Sequence, residues 1–233
     1  MRTLVLYSNR NTPGRKDATG AFVPEARAFA KVHGVPKELQ IGMPLHGVSA
    51  AKRRQKTFEA IYQASRKELL DCIAFFGHGW PRGIQFGFSR KHAHALARSL
   101  TECCVSDVKI VLYACLAAEN DKRDKDHANV GPGTDGGFAD VLRDEIARLG
   151  LVLGQVDAHK TAGHTTWNPY VVRFLCDAVE DYREGGQGGA WIVAPGSQFW
   201  KPWMKALDNK RGGLRYRFPF LSELEIKAEL AQI

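Results

Sequence analysis

Short uninterrupted apolar runs alternate along this chain with segments whose apolar residues recur every three or four positions, and that alternation restricts the fold more than any other feature. The runs at residues 3–7, 72–76, 108–114 and 151–156 have the length and, apart from Thr3, Lys109 and Gln155, the apolar character of strands buried on both faces. Between them lie helical patterns. Ala26, Phe29 and Ala30 precede a stop at Gly34, and Phe58, Ile61, Tyr62 and Leu69 mark a helix behind Thr57. Ser89 caps a helix with Ala93, Leu96, Ala97 and Leu100 at i, i+3, i+4 and i+7. Phe138, Val141, Leu142, Ile146 and Leu149 give a further helix that ends at Gly150. Residues 170–181 read as a helix, residues 191–194 as a last core strand, and residues 35–56 carry no sustained period. The expectation is an α/β fold, a mostly parallel sheet covered on both faces by helices.

With 233 residues, 44% of them hydrophobic, the chain can bury one core of this kind. Residues 1–196 are expected to form that domain, and the Trp-, Phe- and Lys-rich residues 197–233 an extension packed on it. The apolar runs are far shorter than the roughly 20 residues of a membrane-spanning helix. The amino-terminal segment lacks a cleavage site of small residues, so a cytoplasmic protein is expected. Five cysteines form no CxxC pair, which fits a reducing compartment. The net charge of +8 is scattered over small clusters, none in a nucleic-acid-binding motif, so nucleic acid is not the expected partner.

Functional groups of a parallel sheet gather beyond the carboxyl ends of its strands. Two strand ends carry chemistry. IAFFGHG ends a strand in Gly77-His78-Gly79, where the glycines allow a sharp turn and an unobstructed imidazole. KIVLYAC ends the next in Ala114-Cys115. The helix between them makes a βαβ unit whose right-handed crossover sets the two strands side by side. An imidazole beside a thiol supplies a base and a nucleophile, and the N–H groups of Gly79 and Cys115 are candidate oxyanion donors.

A hydrophobic strand ending in His-Gly, a spacer, and a second ending in a small residue and Cys resemble the caspase-like (clan CD) cysteine peptidases. The resemblance covers residues 2 to about 159 in order of elements, while its specific motifs occupy about a dozen residues. It implies a three-layer α/β/α caspase/haemoglobinase-like fold, a peptide or protein substrate, catalysis by His78 and Cys115, and no metal or other cofactor in the chemistry. Tyr113 stands where caspases have Gln, so aspartate specificity does not carry over. GHGWPRGIQFGF and LYACLAAEN look closer to bacterial caspase-like domains. The polar stretch 118–137 lies where such enzymes are often cut during maturation. For specificity, Asp157 is expected just past its strand, where it would select Lys or Arg; Arg10 or Arg15, after the first strand, would instead select an acidic residue. Trp167 is a candidate groove contact.

Two other readings use the same residues. A thiol acyltransferase would differ only in its acceptor. A non-catalytic module would keep the fold and engage nucleic acid or a protein through the basic, aromatic tail, but it has no need of the intact His-Cys pair with its glycines. His92 and His94 point to different faces of a helix and do not make a zinc pair.

Overall fold

The computed structural model describes residues 1–9, 22–119, 137–160, 171–176 and 179–182. Arg10, Arg15, Trp167, most of 118–137, and the expected strand 191–194 and extension 197–233 lie outside them.

In chain order, the described elements begin with β1 (Thr3–Ser8), α1 (Phe22–Val32), β2 (Gln40–Met43), α2 (Ala50–Ser65) and β3 (Leu70–Phe76). Three two-residue strands follow, β4 (Gly79–Trp80), β5 (Gly83–Ile84) and β6 (Phe88–Ser89), then α3 (Ala93–Cys103) and β7 (Cys104–Tyr113). The last are α4 (Phe138–Arg148), β8 (Gln155–His159), β9 (Val171–Phe174) and β10 (Val179–Tyr182). The main sheet has seven strands in the order β10-β9-β8-β7-β3-β1-β2. Strands β2, β1, β3, β7 and β8 are parallel, and β9 and β10 join antiparallel at one edge. Strands β4, β5 and β6 form a small antiparallel sheet of their own.

Strand order dictates the layers. From β1 the chain steps to β2 at one edge, then returns past β1 to β3 and continues to β7 and β8. Right-handed crossovers therefore put α1 on one face and α2, α3 and α4 on the other. Side chains agree: Phe29 of α1 meets Phe76 and Tyr113, whereas Phe75, which points the opposite way along β3, meets Phe86. The step direction reverses between β1 and β3, and a crevice opens beyond the carboxyl ends of strands at such a switch. His78 stands at the end of β3.

The runs at 3–7, 72–76 and 108–114 fall in β1, β3 and β7; residues 4–6, 72–76 and 110–113 are wholly buried, while Ser106 and Asp107 of β7 are exposed. Other elements differ from expectation. Helix α2 starts a full two turns before Phe58, with Ser49 Oγ accepting the Lys52 N–H at 3.3 Å; in the charge run 52–56, Lys52, Gln55 and Lys56 are exposed, whereas Arg53 and Arg54 are half-buried against the segment that carries β5 and β6. Leu69 lies beyond it and is 46% exposed. The apolar run 151–156 straddles a turn: Val152 and Leu153 are 52% and 68% exposed, and β8 begins only at Gln155. The described residues of the stretch 170–181 are not helical but form the paired strands β9 and β10. Their β-branched valines suit a sheet edge, and β9 finds an open partner in β8. No helix among the described residues is long and apolar enough to cross a membrane.

Candidate active site

Register brings His78 and Cys115 together. Strands β3 and β7 are parallel neighbours, and Phe76 pairs with Tyr113, their rings stacked with centroids 4.3 Å apart and planes at 10°. His78 follows Phe76 by two residues, and Cys115 follows Tyr113 by two. Both leave adjacent strands at one level, and both are half-buried. Contact between the two turns is close. A Cβ on Gly79 would fall 2.6 Å from the Cys115 carbonyl oxygen and 2.7 Å from the Ala114 Cβ. Only glycine permits that approach.

The His78 turn is held from several sides. Its N–H donates to Gln85 Oε1 at 3.0 Å, and its carbonyl accepts the Gln85 N–H at 2.8 Å. That second bond brackets Gly79 and Ile84, which therefore face each other as a non-hydrogen-bonded pair. The Gly79 N–H is thus left out of the β4–β5 ladder. The His78 ring meets Phe22, at the start of α1, edge to face with centroids 5.2 Å apart.

Cys115 begins a tight turn. Leu116 has φ +60°, the one non-glycine residue with positive φ among those described, a conformation that costs about 1 kcal/mol or more. Neighbouring elements fix it in place. The Ala118 N–H donates to the His159 carbonyl at 3.0 Å, and the Ala139 N–H of α4 donates to the Ala117 carbonyl at 2.9 Å. The chain is thereby turned sharply away from the line of β7 just after the candidate nucleophile.

The other thiols differ. Cys72, Cys103 and Cys104 are buried, and burial pushes the Cys72 and Cys104 thiols well above their usual range. Cys176 is half-buried, but it follows β9, which runs antiparallel to β8 and carries the chain toward the opposite end of the sheet. A cavity of about 610 Å³ lined by Arg2, Leu39, Ile41, Gln63 and Arg66 also lies at that far end.

Asp157 is corrected. It lies inside β8, not beyond it, with no exposed surface, paired with Val111 on one side and Arg173 on the other. Val111 precedes Cys115 by four residues, so Asp157 sits roughly 13 Å below the cysteine along the strand direction. Its carboxylate accepts from Arg173 Nε at 3.0 Å and from Gln155 Nε2 at 3.2 Å. The charge that was expected to select a basic substrate residue is matched inside the fold. The residue at the carboxyl end of β8 is instead His159, fully buried beside Tyr113. Candidates Arg10 and Trp167 lie outside the described residues.

His92 and His94 have structural partners. His92 Nδ1 meets Ser89 Oγ at 2.8 Å, and His94 Nδ1 meets Glu145 Oε2 at 2.9 Å. Sequence reading missed Gln85, Phe22 and Leu116. Gln85 alternates with the buried Ile84 and Phe86, a signal that becomes legible only once the small antiparallel sheet is recognised. Comparison of the chain with protein-family models, curated proteins and solved structures finds no match.

Proposed function

We propose that this chain is a cysteine endopeptidase of the caspase-like kind, with Cys115 as nucleophile and His78 as general acid and base. His78 takes the thiol proton as the sulfur attacks the scissile carbonyl, and an Sγ–C bond forms. The oxyanion that develops is met by the Gly79 N–H, with the Cys115 N–H as second donor. Collapse breaks the C–N bond, and the imidazolium gives its proton to the leaving amine. Water then attacks the thioester with His78 as base, the C–S bond breaks, and the thiol regains its proton.

One observation carries this reading: two turns that follow neighbouring parallel strands at matching register, one bearing His and the other Cys, pack so closely that Gly79 leaves no room for a side chain. Packing alone would be served as well by a larger residue and a shallower turn. The reading also takes in the caspase-like three-layer arrangement, a peptide or protein substrate, and a bacterial or phage setting in the cytoplasm. Incubation with a library of unstructured peptides, analysed by mass spectrometry, tests it. Cleavage products that form with the wild type and are absent with Cys115→Ala and His78→Ala are expected. Products that persist in Cys115→Ala refute it.

A further inference from the structure

Gln85 is the residue whose contacts converge on the His78 turn without belonging to the chemistry. Its side-chain carbonyl accepts the His78 N–H at 3.0 Å, and its own N–H donates to the His78 carbonyl at 2.8 Å. One residue thus holds the histidine's peptide groups on both sides. Gln85 is in turn anchored from α2, where Arg53 donates through Nη1 to the Gln85 carbonyl at 3.0 Å and through Nε to the Val48 carbonyl at 2.7 Å. The fit is tight. A Cβ on Gly77 would lie 3.2 Å from Gln85 Oε1 and 3.0 Å from the Phe86 ring.

Leaving the end of β3, the His78 N–H has passed out of the parallel ladder and needs an acceptor. A backbone acceptor would continue the strand. A side-chain carboxamide lets the chain turn while the donor stays satisfied, and it fixes the plane of the His78 peptide. That plane sets where the imidazole starts and where the next N–H, that of Gly79, points.

We propose that Gln85 is a positioning residue that holds general base and oxyanion donor in register with Cys115. This rests on the His78/Cys115 reading, and the test separates the two. The rate of Cys115 carbamidomethylation by iodoacetamide at neutral pH, followed by intact-mass spectrometry, reports the thiolate that a correctly placed imidazole sustains. It needs no substrate. His78→Ala is expected to slow it by about tenfold or more, and Gln85→Leu, close in size but without the acceptor, to slow it by about the same factor. Gln85→Glu, which keeps an acceptor oxygen at the same reach, restores most of the rate. With a cleavable peptide, Gln85→Leu lowers kcat while KM changes by less than about twofold. A residue that only braced the fold would lower the melting temperature and leave these rates alone.

If His78→Ala leaves the alkylation rate unchanged, the dyad reading itself fails. If His78→Ala slows it and folded Gln85→Leu does not, the proposal for Gln85 alone is overturned. Should Gln85→Leu not fold, Gln85→Asn, whose carboxamide is one methylene short, is measured in its place. Wild-type alkylation by Gln85→Asn, or failure of that variant to fold as well, makes Gln85 a folding residue and also overturns the proposal.

Discussion

Cys115 and His78 could be singled out in the sequence because each ends an apolar run, His78 between two glycines and Cys115 behind an alanine, a pattern set by local backbone needs. Gln85 and Phe22 could not, because their roles depend on contacts that a linear pattern does not carry. Cys115→Ala and His78→Ala are each expected to lower turnover by about a thousandfold or more with the fold retained, whereas Cys103→Ala, Cys104→Ala and Cys176→Ala keep it. Circular dichroism and peptide cleavage, measured together, check this. Gly79→Ala is the sharper probe of geometry. Its methyl would press on the Cys115 carbonyl oxygen at 2.6 Å, so the two turns must separate, with about 2 kcal/mol lost in urea unfolding and turnover lost as well. A Gly79→Ala variant of normal stability, with any activity of the wild type intact, would show that the turns do not meet as described.

Strands β1, β3 and the second half of β7 are legible because both of their faces are apolar; β8 and β9 are less so, because β8 buries Asp157 and His159 and β9 carries Arg173 opposite Asp157. Asp157 and Arg173 stand directly opposite each other on β8 and β9, and Asp157 has no exposed surface. Removing one member of such a pair strands the other, so Asp157→Ala is expected to cost about 3 kcal/mol in urea unfolding. On the proposed function, the cleavage preference of the folded variant is expected to be unchanged. A variant that loses a preference for Arg or Lys would return Asp157 to the substrate pocket. His159, at the end of β8, and His33, just past α1, add a pH dependence. Burial lowers the imidazole of His159 to about 3 and that of His33 to about 4, from 6.5. Below pH 6.5 the unfolded chain takes up protons that the folded chain refuses, so their stabilisation is complete above pH 6.5. It is lost as pH falls toward 4 and then 3, by about 3 kcal/mol or more for each group. Urea midpoints at pH 7 and pH 5 measure the first part of the loss, about 2 kcal/mol for each group. His159→Phe should reduce it, and equal wild-type midpoints at the two pH values would contradict it.

For the molecule as a whole, the alternation of apolar strands and amphipathic helices was enough to foresee a mostly parallel sheet with helices on both faces. The antiparallel edge was not foreseen, because 170–181 reads equally well at either period until β8 is present as a partner. The charge run over α2 likewise hid a helix whose buried stripe is only Thr57, Ala60, Ile61 and Ala64. What the topology supplies to the proposed function is adjacency: β3 and β7 are parallel neighbours in matching register, so the turns that carry His78 and Cys115 follow side by side at the sheet's carboxyl edge. The central claim is that these two residues work as one unit on an acyl group. A panel of peptidyl electrophiles differing at the residue before the reactive carbon, followed by peptide mapping of the labelled thiol, tests it most directly. The account predicts a single adduct on Cys115, a clear preference within the panel, and a large loss of labelling in His78→Ala. Labelling of Cys176 in preference to Cys115, or adducts on Cys115 that form as fast without His78 as with it, would contradict it.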